Sequence, residues 1–126
     1  MHALVIDDSK SIRSILAKIL LGVGFTVEEA TNGLEALDLI KKEKVDLALV
    51  DWNMPDMDGR EFIQEVRKKA PTKDMRMVMV TTETAITKVA EALEAGADEY
   101  IMKPFTKEMI IGKLGLMGLN ISGTPK

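Results

Sequence analysis

Five times along this chain a short apolar run gives way to a segment whose apolar residues recur at helical spacing. That alternation constrains the fold most, because strand-helix-strand units build a parallel sheet with helices covering both faces. Ala3-Leu4-Val5-Ile6 is apolar at consecutive positions, as a strand buried on both faces requires. Ile12, Ile15, Leu16, Ile19 and Leu20 then follow as one helical stripe, with Gly22 and Gly24 as stop signals. Phe25-Thr26-Val27 opens a second strand, and Thr31-Asn32 caps a helix carrying Leu34, Ala36, Leu37 and Ile40. Val45 to Val50 is the most apolar run, which predicts the centre of the sheet, and it stops abruptly at Asp51.

Trp52 to Gly59 reads as a loop, and Phe62, Ile63 and Val66 as the inner edge of a third helix closed by Pro71. Met77 to Val80 is a fourth strand, and Ile86, Val89, Ala90 and Leu93 form a fourth helical stripe before Gly96. A short fifth strand, Tyr100-Ile101-Met102, reaches Lys103-Pro104. The last helix carries Gly112, Gly115 and Gly118, each costing about 1 kcal/mol of helix stability relative to Ala. Their spacing of three permits close packing or a weak helix, and the weak helix is the preferred reading. The pattern predicts an α/β fold, a doubly wound parallel sheet of five strands and five helices. With 126 residues the chain fits one domain, expected over residues 1–119, with 120–126 as a flexible tail.

Several chemistries are excluded at once. There is no cysteine, so disulfides, thiolate nucleophiles and Cys-based zinc sites do not arise. The single histidine, His2, builds neither a Ser-His-Asp triad nor a histidine-rich metal site, and its position predicts a frayed terminal residue. A formal charge of −3 without a basic run argues against direct nucleic-acid binding, and no apolar run approaches a membrane span. A cytoplasmic protein without membrane insertion is expected, its nine methionines serving as core filler.

In a doubly wound sheet, ligands sit beyond the carboxyl ends of the strands. Strand one ends at Asp7-Asp8, strand three at Asp51, strand four at Thr81-Thr82 and strand five at Lys103. Taken singly, these read as a helix cap, a turn residue, a strand-end hydroxyl and a surface charge. Together they predict one crevice holding three acids and a base. Carboxylates 4 Å apart repel by ~4 kcal/mol per pair at an effective dielectric of 20, and a divalent cation relieves that. All-oxygen ligands suit Mg2+ or Mn2+, with coordination positions left for a phosphate. Asp51 is then the candidate nucleophile, forming an acyl phosphate, with Lys103 and the Thr81 hydroxyl contacting phosphoryl oxygens.

At this level of detail the chain resembles the receiver domains of bacterial two-component response regulators, which accept phosphate on an aspartate from a histidine kinase. The resemblance covers about residues 2–118 and is carried by Val5-Ile6-Asp7-Asp8-Ser9, Leu49-Val50-Asp51-Trp52-Asn53-Met54-Pro55, Met57-Asp58-Gly59, Val80-Thr81-Thr82-Glu83, Ala95-Gly96-Ala97 and Lys103-Pro104-Phe105. It implies the flavodoxin/CheY-like form of the fold, with strand order 2-1-3-4-5. It also implies Asp51 as phosphoacceptor, Mg2+ held by Asp7, Asp8, Asp51 and the Asn53 main-chain carbonyl, Thr81 as switch hydroxyl, Lys103 as phosphate-contacting base, and a cis Lys103-Pro104 bond.

Within the family the match is to the CheY-like chemotaxis subfamily. By that resemblance Asn53 and Glu83 govern water access and phosphatase action, and Tyr100 is the aromatic that rotates on activation. The implied partners are a CheA-like histidine kinase, a flagellar switch or other chemotaxis protein, and a phosphatase. Such a protein is a signalling receiver that promotes its own phosphotransfer and autodephosphorylation, not an enzyme acting on a metabolite. The implied docking face is the fourth helix, fifth strand and fifth helix, where the glycine-rich last helix departs from a charged docking surface. Trp52 reads equally as a fluorophore near the metal or as a loop anchor. Two rivals stay open: a small phosphohydrolase, although Asn53 stands where such enzymes carry a second aspartate, and a phosphate sink without an output target.

Overall fold

The computed structural model describes residues 1–51, 59–68, 75–82 and 86–118. Strands β1 (His2–Ile6), β2 (Thr26–Ala30), β3 (Leu47–Asp51), β4 (Arg76–Thr82) and β5 (Glu99–Lys103) alternate with helices α1 (Lys10–Gly22), α2 (Gly33–Lys42), α3 (Gly59–Lys68), α4 (Ile86–Ala95) and α5 (Lys107–Leu116). The strands form one parallel sheet in the order β2-β1-β3-β4-β5, as expected. The proposed 120–126 tail and the Trp52, Asn53 and Glu83 positions lie outside the described residues.

Consecutive strand residues point to opposite faces, so each apolar run serves two cores at once. Leu4, Ile6, Ala48, Val50, Met77 and Met79 pack in one layer with Ala36, Ile40, Phe62, Ile63, Val66, Val89 and Ala92 from α2, α3 and α4. Ala3, Val5, Leu47, Leu49, Val78, Val80 and Ile101 pack in the other with Leu16 and Leu20 of α1 and Ile110 and Leu114 of α5. Each fully buried Leu or Ile contributes roughly 1.5–3 kcal/mol. The central strand β3 is buried at every position, which is why its sequence lacks any polar alternation.

Helix starts follow local chemistry. Ser9 Oγ accepts from the Ile12 amide, Asn32 Oδ1 from the Glu35 amide and Thr106 Oγ1 from the Met109 amide. The inner stripes differ in part from expectation. Ile15, Leu34 and Leu93 are exposed at 48%, 52% and 42%, and in α4 Ala92 rather than Ala90 or Leu93 faces the core beside Val89. A two-layer groove accepts only a narrow arc of each helix, so flanking apolar residues stay outside. Gly22 is the last residue of α1, and the turn itself is made at Gly24, whose φ is 104°.

Helix α5 is continuous from its Thr106 cap, and a Cβ added at Gly112 would meet nothing within 4 Å. Close packing therefore does not explain that glycine. Gly96 is the opposite case: φ is +124° and a Cβ there would sit 2.7 Å from Arg67 Cγ. Arg67 fills this space, donating to the carbonyls of Gly96 (2.9 Å) and Met75 (2.8 Å) and to Asp98 Oδ2 (2.8 Å). Asp98 Oδ2 also accepts from the Met77 amide at 2.8 Å, so one guanidinium ties the end of α3 to the entries of β4 and β5.

His2 is not frayed. It is the first residue of β1, its amide donates to Asp46 Oδ2 (2.9 Å), and its carbonyl accepts from the Asp46 amide (2.8 Å).

Candidate functional site

Strands β1 and β3 are neighbours, yet the helices that follow them pack on opposite faces of the sheet. The divergence opens a crevice beyond their carboxyl ends, the place where doubly wound folds bind ligands. Asp7 follows β1 directly and Asp51 is the last residue of β3. Strand alternation puts Asp7 in phase with Ala3 and Val5, and Asp51 in phase with Leu47 and Leu49. Both carboxylates therefore reach the crevice from the same side. Exposed Asp8 completes a cluster in which one oxygen from each of Asp7, Asp8 and Asp51 lies within 4.8 Å of the others.

Asp7 is fixed through both main-chain and side-chain atoms. Its amide donates to the Ala30 carbonyl (3.1 Å), and its own carbonyl accepts from Arg13 Nη1 (2.7 Å). Asp7 Oδ1 accepts from the Ser9 amide (2.8 Å), which leaves Oδ2 facing Lys103 Nζ at 3.4 Å. Lys103 Nζ is also 3.6 Å from Asp51 Oδ1. To get there from β5 it passes the end of β4; the two strands are about 9.6 Å apart at ~4.8 Å per strand, and the lysine stem, the Asp51 side chain and the 3.6 Å contact between them cover that distance together. Asp7 and Asp51 are only 2% and 6% exposed, so their charges interact with less water screening than surface pairs have.

Thr81 is 2% exposed, one residue beyond Val80, the register partner of Asp51. It is in phase with Met77 and Met79, on the face where Tyr100 packs, so the hydroxyl and the tyrosine share one side of the sheet. Tyr100 is half-buried, and Lys113 Nζ lies 4.8 Å from its ring centroid. A groove of about 590 Å³ between β5 and α5 is lined by Tyr100, Met102, Met109, Gly112 and Leu116. The Lys103-Pro104 bond is cis.

Asp7, Asp8, Asp51 and Lys103 thus meet, with Thr81 on the adjacent strand end, while Asn53 and Glu83 fall outside the described residues. Sequence reasoning missed Arg13, which anchors the Asp7 main chain and pairs with Glu29 Oε1 at 3.2 Å. Nothing in a helix pattern marks a basic residue that turns back to the preceding strand end. Among the described residues the donor set is all oxygen, and the acids outnumber the one ammonium beside them, a chemistry that fits a hard divalent cation such as Mg2+.

Comparison with known proteins agrees with this geometry. The chemotaxis protein CheY homolog of Campylobacter jejuni is 44% identical over 116 residues, covering 90% of this chain and 89% of that protein. The sensor histidine kinase CheAY of Helicobacter pylori is 43% identical over 109 residues, which are 85% of this chain and 14% of the kinase. Among solved structures, CheY4 of Vibrio cholerae superposes with a TM-score of 0.86 at 37% identity, covering 91% of this chain and 96% of that one. The response regulator receiver domain model matches residues 3–114. Receiver domains are signalling modules that bind Mg2+ through acidic residues, and the crevice beyond β1 and β3 holds such a cluster. By fold, acid cluster and sequence alike, the chain belongs to the response regulator receiver domain family.

Proposed function

We propose that Asp51 accepts a phosphoryl group and that the resulting acyl phosphate switches a protein contact. One observation carries this reading: a buried strand-end carboxylate gathered with Asp7 and Asp8 and faced by Lys103 at 3.6 Å. An Asp51 carboxylate oxygen attacks phosphorus, the bond from phosphorus to the donor's nitrogen or oxygen breaks, and the donor leaves with the electron pair. Bound at Asp7, Asp8, Asp51 and the Asn53 carbonyl, Mg2+ supplies charge neutralisation for the incoming anion, and Mn2+ has the same oxygen preference. Lys103 holds a second phosphoryl oxygen as a point charge, and Thr81 donates its hydroxyl to a third. Water then cleaves the acyl phosphate to inorganic phosphate and the free carboxylate, with Asn53 and Glu83 setting its access.

Phosphorylation replaces the −1 charge of the Asp51 carboxylate by an acyl phosphate carrying about −1.5 to −2, and the pull on Thr81 transmits the change to the sheet face that Tyr100 shares. The docking face is α4, β5 and α5, and the groove beside Tyr100 gives it an apolar surface. The names of the relatives support a role in chemotaxis with a CheA-like histidine kinase as donor. The reading is completed by a cytoplasmic location, a flagellar switch or other chemotaxis protein as target, and a phosphatase as modulator. The domain is assigned to residues 1–119, with 120–126 as a tail.

Incubation with acetyl phosphate and Mg2+ is expected to add one phosphoryl group, read by intact-mass spectrometry, and none to Asp51→Asn. Label retained in that variant, or labelling unaffected by chelation, would overturn the assignment. Pull-downs comparing phosphorylated and unmodified protein then identify the target.

A further inference from the structure

The opposite end of the sheet carries a second convergence of ligating side chains, formed by His2, Glu28 and Glu43. It lies ~16 Å from the aspartate cluster along β1, at about 3.3 Å per residue. In the β1–β2 register Thr26 pairs with His2 and Glu28 with Leu4, so His2, Thr26 and Glu28 share the face covered by α2. Helix α2 runs back along the sheet and delivers Glu43, its C-terminal cap residue, to the same spot. One ligating atom from each of His2, Glu28 and Glu43 lies within 4.8 Å of the other two.

The imidazole is aimed as well as near. His2 Nδ1 is 2.7 Å from Thr26 Oγ1, and Thr26 Oγ1 donates its proton to the Met1 carbonyl at 3.4 Å. The threonine oxygen is then the acceptor and Nδ1–H the donor, which directs Nε2 at Glu43 Oε2, 3.1 Å away. A ring nitrogen facing one carboxylate beside a second places a positive charge between them, carried by a proton on Nε2 or by a metal ion. Metal-binding histidines are commonly oriented by such a second hydrogen bond on the other ring nitrogen.

We propose that His2, Glu28 and Glu43 bind a divalent transition metal of the Zn2+ class, with Thr26 orienting the histidine. One imidazole nitrogen and two carboxylate oxygens are a donor set that Zn2+ accepts, with water in the fourth position, whereas Mg2+ favours six oxygens. Zn2+ bonds of about 2.0–2.2 Å require the ligand atoms to draw together. Glu43, with half its side chain exposed, has the freedom to do so. Bound metal would clip the edge strand β2 and the start of β1 to the end of α2.

The test is calorimetric titration of the full chain with Zn2+, with Mg2+ in excess to compete at the aspartate cluster. Saturable 1:1 binding is expected, weakened at least about tenfold by His2→Asn, by Glu43→Gln and by Thr26→Val. Glu43 is exposed, so its substitution leaves the fold intact even if a β1 variant does not express. Unchanged affinity in the Glu28→Gln/Glu43→Gln double variant would assign the metal to a chelate of His2 with the terminal amine and overturn the proposal. Loss of the Zn2+ signal in Asp7→Asn, or no saturable binding at all, would overturn it equally.

Discussion

Lys103 is the residue on which the acidic crevice depends, because its ammonium faces both buried aspartates at 3.4 and 3.6 Å. Lys103→Met should destabilise the metal-free protein by about 1–3 kcal/mol, below the ~3–5 kcal/mol seen for fully buried pairs since a quarter of this side chain meets water. Urea denaturation with and without Mg2+ checks this, the deficit shrinking when Mg2+ is added. Glu28 gives a prediction of opposite sign. Its hydrogen bond to Glu43, then burial and the Glu43 charge, hold its pKa above the ordinary range, so the folded state favours the protonated form, and its contribution to stability is complete below the unfolded value near 4.5 and lost as pH rises through the folded one. Glu28→Gln should therefore be more stable than the parent at neutral pH without metal, the advantage vanishing towards pH 4, as thermal melts at several pH values would read. The sequence exposed Asp7, Asp8, Asp51, Thr81 and Lys103 through their positions at strand ends. Arg13, Arg67 and the His2 cluster gave no such signal, because each depends on a partner far off in the chain: Glu29, Asp98 and Asp46 are 16, 31 and 44 residues away.

Among the elements, α5 and the α4–β5 turn show two glycines with opposite meanings. Gly112 has open space around its missing Cβ, so Gly112→Ala should stabilise the fold by about 1 kcal/mol, raising the melting temperature by a few degrees. A glycine retained at that cost, beside the groove of Tyr100 and Met109, also predicts weaker target binding by the alanine variant in the pull-down. Gly96→Ala must strain both its positive φ and Arg67, and should cost more than about 1 kcal/mol; calorimetric melting would show it. Element type and order were legible because each apolar period has a distinct length. The inner arc of α1, α2 and α4 was not, since Ile15, Leu34 and Leu93 satisfy the helical spacing yet lie just outside the arc that the sheet covers.

For the molecule as a whole, the cluster beyond β1 and β3 couples folding to cation binding, since carboxylates gathered without a cation oppose the folded state. Mg2+ should raise the denaturation midpoint of the parent protein, and Asp51→Asn should be more stable than the parent in chelator, with a smaller response to Mg2+. Equal midpoints for both proteins with and without Mg2+ would reject the coupling. The sequence by itself determined the five strands and five helices, their parallel arrangement and the chemical character of every strand end, because those follow from local periodicity and residue type. Only the tertiary structure decided which distant groups touch: Lys103 across β4 with Asp51, Arg67 with Gly96 and Asp98, His2 with Glu43. Strand order and register set those encounters, and both arise from packing two cores at once, a property that no short stretch of chain possesses.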